Sequence, residues 1–132
     1  MNTKEILVFK AFVKAINEAD IAELEKLMSE DHIFIDSVGR KEEGREKMIA
    51  GWKTYFDMFP DFKIEIENII REQEIVGAFG TYNSRRGLVP ENIIKMPAAW
   101  RAIIRDDKVK LWQVYADWRE GIKIIEEDQK SG

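Results

Sequence analysis

The chain has no cysteine among its 132 residues. That excludes disulfides, thiolate nucleophiles and thiolate metal sites, and it fits a reducing compartment. Histidine is nearly as scarce, since His32 stands alone. A multi-histidine zinc site and a serine–histidine triad with a spare base go with it. No stretch approaches the ~20 consecutive apolar residues that a membrane-spanning helix requires. The opening Met1-Asn2-Thr3-Lys4-Glu5 is charged and does not read as a secretory leader. The expectation is a cytoplasmic protein with no membrane partner. An excess of positive charge is also lacking: 21 basic and 25 acidic residues interleave to a formal charge of -4. A mildly acidic surface repels phosphate backbones, so nucleic acid is not an expected partner.

What is present is an apolar fraction of 45% beside 35% charged residues, enough for an ordinary core in one domain. Val8, Phe9, Phe12, Val13 and Ile16 recur at helical spacing. Asp20 with Glu23 forms a capping-box pattern for a second helix, whose apolar face is Ile21, Leu24, Leu27 and Met28. Residues 33–36 read as a short strand ending on Asp36, and residues 39–44 as a polar turn. Residues 45–59 form a third helix with Met48, Trp52, Tyr55, Phe56 and Phe59 on one broad face, stopped by Pro60.

The remainder reads as sheet. Phe62, Ile64 and Ile66 alternate with Lys63, Glu65 and Glu67, the period of a half-buried strand. Residues 71–74 are a polar turn, and residues 75–83 a strand whose Gly77 and Gly80 suggest a bulge or a close backbone approach. Residues 84–96 form a long loop with Arg85-Arg86-Gly87 and Pro90, a candidate lid or simply a solvated loop. Residues 98–104 and 109–118 make a hairpin closed by Arg105-Asp106-Asp107-Lys108. Helices followed by a meander define an α+β fold. The expected object is a curved antiparallel sheet wrapped around the long third helix, a cone-shaped barrel with a cavity between them. The domain covers residues 1–119, and residues 120–132 form a charged tail.

Pairing Arg105 with Lys108 across the hairpin puts Arg101 opposite Trp112. If Ala99 lines the cavity, so do Arg101, Trp112 and Val114. Arg101 would then hold a carboxylate or enolate-like oxygen, or else stack on Trp112. Trp100, Leu111 and Tyr115 fall on the other sheet face, which needs a cover of its own. A partner subunit supplies it, so a homodimer through the outer sheet face is expected. Trp52, Tyr55 and Trp112 are candidates to line a ligand site, whereas Phe34, Phe56 and Phe59 read as core. His32 reads as a rim or surface residue.

The order of elements and three landmarks resemble the nuclear transport factor 2-like superfamily, and within it the SnoaL-like polyketide cyclases and ketosteroid isomerase. The landmarks are Ile16-Asn17-Glu18-Ala19-Asp20 with Ser29-Glu30-Asp31 and Asp36-Ser37-Val38-Gly39; then Phe59-Pro60-Asp61; then Val109-Lys110-Leu111-Trp112 running to Asp117. The resemblance implies the conical α+β fold. It places Asp36 where ketosteroid isomerase keeps its catalytic base. It places Phe12 and Ala99 where that enzyme keeps its two oxyanion donors, so steroid isomerisation is disfavoured. Asp117 falls at a position where an acidic residue serves SnoaL-like proteins, although alternation from Trp112 turns it away from the cavity. The resemblance implies neither cofactor nor metal.

Three functions are open on this reading. The first is an enzyme in which Asp36, with Asp117 ranked below it, moves a proton on a small, largely apolar carbonyl compound. Phe12, Trp52, Tyr55, Arg101 and Trp112 would surround that compound, and the outcome would be isomerisation, cyclisation or dehydration. The second is a non-catalytic ligand-binding or dimerisation module, in which Asp36 merely accepts backbone hydrogen bonds in its turn. The third, a protein-interaction adaptor, requires an exposed apolar patch beyond the dimer face.

Overall fold

The computed structural model describes residues 3–84, 95–117, 123, 125–127 and 130. The first helix, α1 (Lys4–Asn17), is capped by the Thr3 hydroxyl and buries Phe9, Phe12, Val13, Ala15 and Ile16. The second, α2 (Ile21–Leu27), starts at Asp20, whose carboxylate accepts from the Glu23 backbone N–H at 3.1 Å. This is half of the capping arrangement read from the sequence. The first strand, β1 (Met28–Ile35), follows without a loop. It begins five residues earlier than the sequence suggests, because residues 29–31 are polar and hide the strand. The expected polar turn contains a three-residue strand, β2 (Lys41–Glu43). The long helix α3 (Arg45–Met58) ends just ahead of Phe59 and Pro60.

The remaining strands are β3 (Lys63–Glu72), β4 (Ile75–Asn83), β5 (Met96–Arg105) and β6 (Lys108–Ala116). They join into one sheet of order β2-β1-β6-β5-β4-β3. Every pairing is antiparallel except β1 with β6, which is parallel. Chain-end strands meeting at the centre of a sheet need no tight turn between them, so a parallel pair is free to form there. The β3–β4 turn narrows to Gln73-Glu74, with Gln73 at φ 55°. Asp106 and Asp107 both take positive φ, 53° and 61°, the signature of a type I′ hairpin turn. Residues 85–94 of the expected lid loop and Trp118 lie outside the described residues.

The sheet curls over α1 and α3 and encloses a core of Phe9, Phe12, Ile16, Trp52, Trp100 and Trp112. Asn17, at the end of α1, clamps β3 as a neighbouring strand would. Its side-chain amide donates to the Ile64 carbonyl at 2.9 Å, and its oxygen accepts from the Ile64 N–H at 2.8 Å.

One register detail corrects the expected facing of the hairpin. Arg105 pairs with Lys108, as read from the sequence, but the ladder shifts between Ile103 and Ile104. Lys110 is the extra residue. Arg101 therefore faces Gln113, and Ala102 faces Trp112. An extra residue reverses the facing of everything beyond it. Trp100, Ala102, Ile104 and Trp112 are buried against the helices. Ala99, Arg101 and Ile103 are on the convex outer face. Trp100 thus points inward, not outward, while Leu111 and Tyr115 are on the outer face as expected.

Candidate functional site

One end of the core is packed with rings. Phe12 and Trp112 have centroids 4.7 Å apart, Phe9 and Trp112 5.2 Å, and all three side chains are buried. Phe12 and Trp112, both expected around a ligand, are core residues at this end. The opposite end is looser. Trp52 of α3 stacks on Phe56 at 5.4 Å and meets Tyr55 and Phe34 edge-on at 5.7 and 6.3 Å. Phe34, Tyr55, Phe56 and Phe62 remain half-buried. Burial pushes the Tyr55 phenol well above its ordinary pKa. This end is where α3 finishes, β4 and β6 end and β5 begins, and there a second cluster forms around Met58, Phe59 and Tyr82.

Asp36 lies one residue beyond β1. Its carboxylate accepts from the backbone N–H groups of Val38 and Arg40, at 3.0 and 2.9 Å, and from Arg40 Nε at 3.0 Å. The side chain thus closes the turn from β1 to β2 and neutralises Arg40. Asp117 lies just past β6 and is exposed. Its backbone carbonyl accepts from the buried Tyr82 hydroxyl at 2.9 Å. Burial and the nearby Asp117 carboxylate push the Tyr82 phenol up to about 12. Arg101 stands on the convex face, where its Nε donates to Gln113 Oε1 at 3.2 Å. That corrects the expectation that it lines the cavity. The structure brings Trp52 and Tyr55 together, sets Asp36 in the β1–β2 turn and leaves Arg101 on the outer face.

His32 is the residue that sequence reasoning misplaced. It is fully buried, on the inner face of β1, 6.0 Å from the Phe12 ring. Its Nδ1–H donates to the Val109 carbonyl at 2.6 Å, which leaves Nε2 as a bare acceptor. Among the described residues, neither His32 Nε2 nor the buried Trp52 Nε1–H has a hydrogen-bond partner. Burial, partly opposed by the Val109 carbonyl and Asp31, holds the imidazole below its ordinary pKa and hence neutral. The available signal was parity with Phe34. A strand read from Ile33 leaves His32 outside it, whereas β1 starts at Met28.

Two surface concavities, of about 470 and 350 Å3, open between α1 and β3 and beside the start of α3. Neither is lined by any residue expected at the site. Among the described residues no cluster of His, Asp or Glu could hold a metal ion, and no helix is long and apolar enough to cross a membrane.

A family profile described as SnoaL-like domain matches residues 9–112, and the chain belongs to that family. Solved structures agree on the fold. An LEH-like epoxide hydrolase from M. tuberculosis is 16% identical, with a TM-score of 0.75 over 86% of this chain and 83% of its own. A protein assigned to the SnoaL-like polyketide cyclases from Shewanella putrefaciens is 21% identical, with a TM-score of 0.75 over 90% of this chain and 82% of its own. A protein of ketosteroid isomerase-like fold from Catenulispora acidiphila, in complex with trimethylamine, is 19% identical with a TM-score of 0.71, over 82% of this chain and 83% of its own. No curated protein matches the sequence.

Proposed function

We propose that this protein binds a small, largely apolar molecule in its aromatic interior, between His32 and Trp52, which supply the polar contacts. The observation that carries this reading is a pair of buried, complementary polar atoms without partners, set in an aromatic interior. A buried polar group left unpaired costs on the order of 1–3 kcal/mol. Such groups commonly mark a place where water or a ligand belongs. His32 Nε2 accepts, and Trp52 Nε1–H donates. Phe34 connects them: it follows His32 by two residues on the same face of β1, and its ring meets the Trp52 indole. A compound carrying one hydroxyl and one carbonyl on an apolar frame would satisfy both atoms.

The test is an NMR titration with small phenols and cyclic ketones, following the Trp52 indole N–H and the His32 ring. Saturable shifts at both are expected. If no compound moves either signal at millimolar concentration, the reading fails.

Proton transfer of the isomerase, cyclase or dehydratase type is the second reading, favoured by the polyketide cyclase and epoxide hydrolase assignments of proteins that share the fold. In that reading Asp36 is the base. Its three hydrogen bonds within the turn weigh toward binding without turnover there.

A homodimer through the convex face belongs to the same proposal. Ile33, Leu111, Ile103 and Ile75 form one continuous apolar row across four strands. Tyr115, Ala99 and Phe79 form a second. Between the rows Arg101 Nε donates to Gln113 Oε1, and the guanidinium keeps its charge and its other N–H groups for acceptors across the contact. A second copy of the chain presents the same rows and suits a two-fold contact.

A further inference from the structure

His32 and Trp52 bring an acceptor and a donor into the interior, and among the described residues neither atom has a partner. Of the two, the acceptor alone can change its sense. An indole N–H donates at every pH. The imidazole Nδ1–H is held on the Val109 carbonyl at 2.6 Å, so a second proton goes to Nε2. Nε2 then becomes a donor, and the interior offers two donors and one positive charge.

That charge meets no counter-charge inside. Among the described residues the buried side chains of α1, α2, α3 and β6 are uncharged. Tyr55 of α3 is titratable, and burial keeps its phenol protonated. Asp31, beside His32 on β1, is exposed and paired with Lys110 of β6 at 2.8 Å. Arg45, at the start of α3, turns to the Met28 carbonyl and to Glu30. Lys41, Glu42 and Glu43 of β2 are exposed. A buried charge without a partner is costly. A ligand carboxylate supplies the missing partner and accepts a charge-assisted bond from Nε2–H.

We propose that one proton on His32 selects the ligand: the neutral imidazole takes a hydroxy compound, and the imidazolium takes an apolar carboxylate that enters together with a proton. The inference rests on the binding reading above. In both states the interior stays neutral as a whole. A hydroxyl donates to the lone pair that the proton occupies, so its affinity is full while His32 is neutral and falls once His32 is protonated. A carboxylate needs the proton, so its affinity rises as the pH falls toward the folded value of His32.

The experiment titrates the full chain with phenol and with benzoate. NMR follows the Trp52 indole N–H and the His32 ring, and calorimetry at pH 7.5 in buffers of different ionisation heat counts protons. Benzoate takes up about one proton per site, and its affinity rises about tenfold for each pH unit of acidification above the folded value. Phenol takes up none. His32→Gln, whose amide carries no charge, keeps phenol and loses the pH dependence of benzoate. Benzoate bound by the unsubstituted chain without proton uptake overturns the switch and leaves the site intact. So does an unchanged pH dependence in His32→Gln, or phenol binding with no benzoate binding. No saturable shift at either signal with either compound sinks the binding reading and this inference with it.

Discussion

His32 Nδ1 donates to the carbonyl oxygen of Val109 over 2.6 Å, across a gap of 77 residues in sequence. The bond sits where the β1–β6 ladder loses register, between the Met28–Val109 and Ile33–Leu111 pairs. A side chain there takes over from a backbone donor. It joins the first strand to the last and fixes the imidazole as the tautomer with a free Nε2.

The burial of His32 at that bond sets an acid limit on stability. His32 is held below its ordinary 6.5 by burial, so between its folded value and 6.5 the unfolded chain binds more protons than the folded one. Stability is therefore full above pH 6.5 and declines as the pH falls through the folded value. Asp31, whose carboxyl is drawn down to about 2 chiefly by its hydrogen bond from Lys110, acts only in a more acid range. Melting temperatures from pH 8 to 5 should fall with acid in the wild type and fall less in His32→Gln. Parallel curves for the two would remove His32 as the cause.

The turn at Asp36 separates a structural from a chemical role. Asp36→Asn keeps an acceptor for the Val38 and Arg40 N–H groups and loses only the exposed ion pair with Arg40, so stability should change by less than about 1 kcal/mol. Asp36→Ala removes every acceptor and should cost about 1–2 kcal/mol in urea unfolding. If a turnover is found for this protein and Asp36→Asn retains it, Asp36 is not the base.

Gly80 is fixed by a close backbone approach. A Cβ there would overlap the Glu65 carbonyl oxygen, far inside van der Waals contact. The neighbouring β3 shifts register between Ile66 and Asn68, so backbone and not a flexible side chain has to move. Gly80→Ala should destabilise by about 1–3 kcal/mol or more. Gly77→Ala meets only the Ile70 side chain, at 3.3 Å, and should cost less. Thermal melts of the two variants test the order.

Tyr82 shares the alkaline limit with Tyr55, whose phenol is also raised by burial. The Tyr82 phenol is raised to about 12, so the folded chain keeps a proton that the unfolded chain releases near 10. Stability should be full below pH 10 and be lost as the pH rises toward 12. Tyr82→Phe should reduce that loss and, by removing the hydrogen bond to Asp117, cost about 0.5–1.5 kcal/mol at neutral pH.

The convex face makes a size prediction. Phe79 is 51% exposed and Tyr115 50%, in one row of the sheet. The wild type should sediment as a dimer at micromolar concentration. Phe79→Glu should sediment as a monomer with unchanged circular dichroism. A monomeric wild type would remove the proposed interface.

The sequence by itself determined the elements and several of their ends. The period of Phe9, Phe12, Val13 and Ile16, the Asp20 cap, the stop at Pro60 and the Arg105–Lys108 turn are local facts, because they depend on neighbours within one or two turns of chain. Local periodicity also brought Trp52 and Tyr55 onto one helix face. Tertiary structure decided what those elements enclose. The extra residue at Lys110 reversed the facing of β5 against β6, which turned Trp100 inward and Arg101 outward, and no local pattern marks such a bulge. The burial of His32 likewise depended on a carbonyl on the far strand. Pairing between distant strands sets which side of a sheet is dry, and a shift of one residue exchanges the two sides.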